Sequence, residues 1–294
     1  MYKIGLHAGY WGESEIDGNF DAMIALYPKL GLDILEMSAF PLLHYTKDAL
    51  ADFKKRLDDS GLGIVFNGGN NPNLDLAHED PVVRDAAIEQ SKRAMDVAAS
   101  VGGRVYSGVN YSLWKRLPAG PLTVDEKRRI LSYSLDAIKK LMPTAENLGI
   151  AYAFEIVNRF EQFLLNTTDE GLAFCEAVGS PSAQLQLDIF HMNIDELNLF
   201  DALEKATKLG KMAHLHVGEP DRSVPGLKKS HLDWQRVFDT IRSAGYQGAV
   251  TIEPFTRMYG QRNYNACVWR NLGPNDMESR CAEIRASVAF LKSL

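Results

Sequence analysis

The chain of 294 residues is short of several things that would direct its function elsewhere. Cysteine is scarce: Cys175, Cys267 and Cys281 are the only ones, and their spacing suits no thiolate metal site, which predicts a reducing cytoplasm. No apolar run is long enough to span a bilayer, and the opening MYKIGLHAGYW lacks the apolar core of a signal peptide. Neither GxGxxG nor GxxxxGK[ST] follows any apolar run, which weakens a nucleotide-binding reading. Basic excess is missing too. A net charge of −6 and a pI near 5.7 argue against nucleic acid or an anionic membrane as partner. No segment reads as low-complexity or as an interdomain linker.

What is present is a strict alternation of short apolar runs with longer amphipathic ones. The runs Ile4–Ala8, Leu32–Ser38, Gly63–Asn67, Arg104–Val109, Tyr152–Val157, Leu185–Phe190, Met212–Val217 and Ala249–Pro254 are expected strands. Helices are expected between them: Asn19–Leu30, Thr46–Ser60, one opened by Asp80-Pro81 and closed by Gly102, and one capped by Thr123 and Glu126. Thr167 with Glu170 caps the next. Further helices are expected from Asp195 to Leu209 and from Leu232 to Ala244, and Asn275 with Glu278 is expected to cap a closing one. About eight strand–helix units point to an α/β chain folded as a single (β/α)8 TIM barrel over residues 1–294. A long loop, 255–274, precedes the closing helix, and a doubly wound open sheet is the alternative.

Barrel active sites form where the strands finish, so the strand ends carry the chemistry. Ala151, Ala153 and Glu155 share one strand face, with the carboxylate at its far end. The next strand places Asp188 near its end, with His191 just beyond. The one after has His214 and His216 on one face, and the eighth ends in Glu253. Three carboxylates among apolar neighbours would be costly to leave unpaired, and a bound cation resolves them. Two glutamates with an aspartate and a histidine suit a divalent first-row ion. His216 lies nearer the strand end than His214, so His216 is assigned to the metal and His214 to a hydrogen-bonded layer beneath. Glu36, ending the second strand, is read as a structural salt bridge.

The stretches EIVNRFEQ, LDIFHMNI, HLHVGEPDR and IEPF, in this order and spacing, resemble the ketose 3-epimerases (the D-tagatose and D-allulose, or D-psicose, 3-epimerases) of the xylose-isomerase-like barrel superfamily. The similarity runs from Gly9-Tyr10-Trp11 to Val268-Trp269-Arg270. It implies Mn2+, replaceable by Mg2+ or Co2+, held by Glu155, Asp188, His216 and Glu253. It implies substrate contacts at Glu161, His191 and Arg222, with Trp114 lining the far end of the pocket. His7 and Trp11 are further candidates for which core packing is an equal reading. The implied reaction inverts C3 of a free ketohexose or ketopentose through a cis-enediolate, with Glu155 and Glu253 as acid and base on opposite faces. Homodimers or homotetramers are also implied, and Tyr259, Tyr264 and Trp269 in the long loop offer an apolar patch for such contact.

Two stretches depart from the family pattern: Ser223 to Lys229, and the loop Asn67 to Pro72 after the third strand. Both are expected to shape the pocket end that reads C4 to C6. The pair Lys228-Lys229 raises a phosphorylated sugar as an alternative substrate. An aldose–ketose or hydroxypyruvate-type isomerase would use the same ion and carboxylates. A non-catalytic sugar-binding barrel is the reading from another class, and the retention of both Glu155 and Glu253 speaks against it.

Overall fold

The computed structural model describes residues 1–68 and 75–294. Eight parallel strands follow in chain order around a closed barrel: β1 (Ile4–His7), β2 (Ile34–Ser38), β3 (Gly63–Asn67), β4 (Val105–Ser107), β5 (Ala151–Glu155), β6 (Ala183–Asp188), β7 (Met212–Val217) and β8 (Ala249–Ile252). Pairing of β1 with both β2 and β8 closes the ring. The helices are α1 (Phe20–Leu26), α2 (Lys47–Ser60), α3 (Pro81–Ser100), α4 (Val124–Leu148), α5 (Thr168–Val178), α6 (Ile189–Asp195), α7 (Leu199–Lys208), α8 (Trp234–Ala244), α9 (Gln261–Asn265) and α10 (Met277–Ser293). Among the described residues, no helix is long and apolar enough to cross a membrane.

Local chemistry sets most helix ends. Thr123 and Glu126 form a reciprocal capping box at α4, and Thr167 and Glu170 do the same at α5. Gly149 and Gly179 then stop these helices in the left-handed conformation that glycine adopts without penalty. Apolar side chains such as Leu6, Leu35, Phe66, Leu187 and Val250 are fully buried, or nearly so, in the main core. Inside the barrel a polar layer takes over: Glu36, Gln186, His214 and Thr251 are completely buried.

Several boundaries differ from expectation, each for a local reason. Pro28 has no N–H to donate back along the helix, so α1 ends at Leu26 and a tighter 3-10 turn, Tyr27–Leu30, replaces its last part. Strand β4 stops at Ser107 because Gly108 turns the chain with a positive φ. The helix expected over Asp195–Leu209 is α7, which Asn198 opens by accepting the Phe200 and Asp201 N–H groups, and an additional short helix, α6, precedes it directly after β6. Helix α8 begins at Trp234, where Asp233 supplies the cap. The closing helix is capped by Asp276, whose carboxylate accepts the Ser279 N–H, and not by the Asn275 and Glu278 pair one register earlier.

Candidate metal centre and active site

The ends of four neighbouring strands converge. Glu155 is the last residue of β5, its N–H donating to the Gly108 carbonyl, and Asp188 is the last of β6. His216 pairs in register with Asp188 across β6 and β7, and Glu253 follows β8 with its N–H on the Val217 carbonyl. One donor atom from each of Glu155, Asp188, His216 and Glu253 lies within 4.8 Å of the others. His216 Nδ1 is 3.7 Å from Glu155 Oε1 and 3.4 Å from Glu253 Oε2. Asp188 uses its other oxygen, Oδ1, to accept the Phe190 N–H that starts α6, which leaves Oδ2 directed at the cluster. Three carboxylates and an imidazole at this separation form a donor set of the type that holds a divalent first-row cation.

A cavity of about 780 Å³ opens above this cluster. Glu155 and Glu253 face into it, whereas Asp188 and His216 are nearly fully buried beneath. Arg222 reaches across from the loop after β7. Its Nη1 lies 3.2 Å from Glu253 Oε2 and 3.4 Å from Asp188 Oδ2, and its Nη2 lies 3.4 Å from Glu161 Oε1. The guanidinium is stacked 3.7 Å from the Phe190 ring centre and 5.0 Å from that of Phe255. Arg222 also has a φ of +68°, a conformation rare for a side-chain-bearing residue. Hydrogen bonds from its N–H to the Glu219 carbonyl and from the Phe255 N–H to its own carbonyl hold it there.

Comparison with known proteins fits this arrangement. The description "Xylose isomerase-like TIM barrel" matches residues 24–294. The D-psicose 3-epimerase of Agrobacterium fabrum is 32% identical, over 98% of this chain and 97% of its own length. The chain belongs to the ketose 3-epimerases of this barrel family. The L-ribulose 3-epimerase of Mesorhizobium japonicum is 32% identical over 94% of this chain and 90% of its own. The structure of a D-psicose 3-epimerase with D-tagatose, from Clostridium cellulolyticum H10, superposes with a TM-score of 0.92 at 29% identity, covering 99% of this chain and 98% of that one.

The family pattern around the cavity is built by loops. Trp114 Nε1–H donates to Glu161 Oε2 at 3.0 Å, and Asn158 Nδ2–H donates to Glu161 Oε1 at 3.2 Å. His191, on α6, accepts the Asn158 N–H at Nδ1, and its Nε2 lies 3.2 Å from Arg222 Nη2 and 3.6 Å from Asp188 Oδ2. His7 lines the cavity, with Nδ1 accepting the Gly9 N–H and Nε2 2.7 Å from the Asn67 amide. Trp11 is the exception. It is fully buried away from the cavity with its indole N–H on the Tyr27 hydroxyl, because the 3-10 turn after β1 rotates it into the core. His214 lies below the cluster, bonded to Glu36 at 2.7 Å, so Glu36 is a buried hydrogen-bond partner.

The segment Ser223 to Lys229 does not line the cavity, contrary to expectation. Gly226 donates its N–H to Glu219 Oε1 and sits so close to the Phe290 ring that a Cβ would overlap it, while Lys228 is bonded to the Leu272 carbonyl. The pair Lys228-Lys229 therefore gives no phosphate site in the cavity. Most of the loop after β3, residues 69–74, lies outside the described residues. Sequence reasoning missed Asn158, Gln186 and the cavity-lining His44 and Arg262. Gln186 carried a usable signal, since it alternates with Asp188 on one strand face.

Electrostatics divide the two glutamates. Burial, and then the neighbouring Glu253 charge, push the Glu155 carboxyl well above the usual carboxylate range. Burial also raises Glu253, but His216, His7 and Arg222 outweigh it and bring that carboxyl down to about 2. For His216 the burial penalty is overcome by Glu36 and Glu253, which raise its proton affinity. Burial keeps His7 and His191 below the ordinary imidazole value, so both are neutral near pH 7.

Proposed function

We propose that the chain is a metal-dependent ketose 3-epimerase that inverts C3 of a free ketohexose or ketopentose. The observation carrying this reading is that the two ligand-set residues facing the cavity are both glutamates, supplied from β5 and the end of β8, with the buried Asp188 and His216 behind them. Binding alone needs no such pair of carboxylates, whereas inversion needs one proton acceptor and one proton donor on opposite faces of a carbon. Relatives named for D-psicose and L-ribulose support the ketose substrate and the position of inversion.

In this reading Glu155, Asp188, His216 and Glu253 hold Mn2+, with Mg2+ or Co2+ as substitutes. Bound there, the ion supplies Lewis acidity that makes the proton beside the C2 carbonyl removable. One of Glu155 and Glu253 takes the C3 proton, giving a cis-enediolate, and the other returns a proton to the opposite face. Glu161, His191 and Arg222 hold the oxygens at C1 and C2. The His191 Nε2–H and the Arg222 guanidinium donate, and Glu161 accepts. Trp114 and His7 wall the remainder of the cavity. The exposed rings of Tyr259, Tyr264 and Trp269 support assembly into a homodimer or homotetramer, which light scattering at micromolar concentration tests.

The deciding experiment is NMR of a ketose panel incubated with the protein and Mn2+ in D2O. Solvent deuterium at C3 of an epimerised product is expected. Label at C1 or C2 would indicate an aldose–ketose isomerase instead, and no label with any ketose would indicate a sugar-binding barrel.

A further inference from the structure

Glu36 has no role in the proton transfers above, yet it is fully buried and is used at both oxygens. Its Oε1 lies 2.9 Å from His216 Nε2 and its Oε2 lies 2.7 Å from His214 Nε2. It stands at the middle of β2, while both histidines stand on β7, so these contacts cross the barrel interior between strands that are not neighbours. His216 turns its opposite nitrogen, Nδ1, towards Glu155 and Glu253. The Gln186 amide lies against the same ring, its Nε2 3.0 Å from Nδ1 and 3.3 Å from Nε2.

We propose that Glu36 is the positioning residue of the metal centre: by accepting the His216 Nε2–H it fixes the tautomer whose Nδ1 lone pair faces the ion. The inference rests on the metal-centre reading above. His214 has the complementary part. Its bond to the second oxygen leaves the Glu36 carboxylate one orientation, so the ring of His216 is held from behind as well as by its own strand. A carboxylate behind a ligating imidazole both orients the ring and increases its donor strength, and loss of such a partner costs roughly 10- to 100-fold in metal affinity. A glutamine in its place would accept from one imidazole but present an N–H group to the other, so one of the two rings must turn or change tautomer.

Two measurements test this. Calorimetric titration with Mn2+ should give a Kd that is raised roughly 10- to 100-fold in Glu36→Gln while the far-ultraviolet circular dichroism is unchanged. Equal Kd values in variant and wild type would overturn the role of Glu36 alone. No Mn2+ binding by the wild type would refute the metal centre itself and the proposal with it. Should the variant fail to fold, the wild-type protein still decides. In 15N-labelled protein the histidine whose Nδ1 resonance moves on addition of Mg2+ should carry its proton on Nε2. A proton on Nδ1 of the Mg2+-loaded ring, or a metal shift at Nε2, would overturn the proposal.

Discussion

Replacing Arg222 by methionine should expose how the carboxylate cluster is balanced when no cation is bound. The guanidinium lies within 3.4 Å of oxygens of Glu161, Asp188 and Glu253, all largely buried, and is stacked on Phe190. Methionine keeps much of the apolar packing and removes the charge, leaving buried carboxylates without their partner. Breaking a buried pair from one side costs about 3–5 kcal/mol. The long contacts and the partial exposure of Glu253 argue for the lower end, about 3 kcal/mol. For 294 residues the unfolding entropy is about 0.6 kcal/mol per degree, so the metal-free variant should melt about 5 °C below the metal-free wild type. Saturating Mn2+ should recover more of the melting temperature in the variant than in the wild type, because the ion then neutralises oxygens that nothing else serves. Differential scanning calorimetry of both proteins, chelated and reloaded, makes the comparison. Equal melting temperatures in the chelated pair would refute the idea that Arg222 is the counter-ion of this cluster. Turnover should fall at least 100-fold in the loaded variant, as expected for loss of an oriented donor at the reacting carbons.

Other outcomes follow from the same geometry. His216→Ala should weaken Mn2+ binding far more than His214→Ala, as read by calorimetry, and the reverse order would mean that the wrong imidazole faces the ion. Glu155→Gln and Glu253→Gln should each abolish net C3 inversion once metal loading has been verified. One of the two should still exchange the C3 proton of a single epimer, and near-normal turnover in either would reject a two-base mechanism. The affinity for Mn2+ should rise with pH through neutrality. Glu155 and His216 both have raised proton affinities in the metal-free protein, so they hold protons that the ion must displace. Titrations in buffers of different ionisation enthalpy should report proton release, and an affinity independent of pH would contradict it.

The four strand-end residues were legible because a strand alternates its faces every residue, and each polar side chain interrupts an apolar run on one of them. The order of strands was legible for the same reason, helped by caps such as Thr123 with Glu126. What the sequence hid was contact across the barrel. Glu36 could be read as a salt-bridge residue, but its partners on β7 come into reach only after the ring closes through β1 and β8. Trp11 was left between cavity and core because the direction of a side chain on a single 3-10 turn is set by what packs around it, here the Tyr27 hydroxyl. Helix α6 was hidden by its brevity, and its cap, Asp188, was already claimed as a strand end.

The placement of the cavity walls divides labour between the two halves of the chain. The candidate ligands, together with Glu161, His191 and Arg222, all come from β5 onward, whereas His7, Met37, Phe40, His44 and Asn67 line the cavity from the loops and ends of β1 to β3. The candidate ligands are therefore inherited on one stretch of sequence, and part of the cavity wall on another. Substitutions in that first-half wall can reshape the cavity while leaving the candidate ligands untouched, provided Glu36 is spared. A barrel divided in this way can drift from one sugar to another by small steps, none of which need pass through an inactive protein.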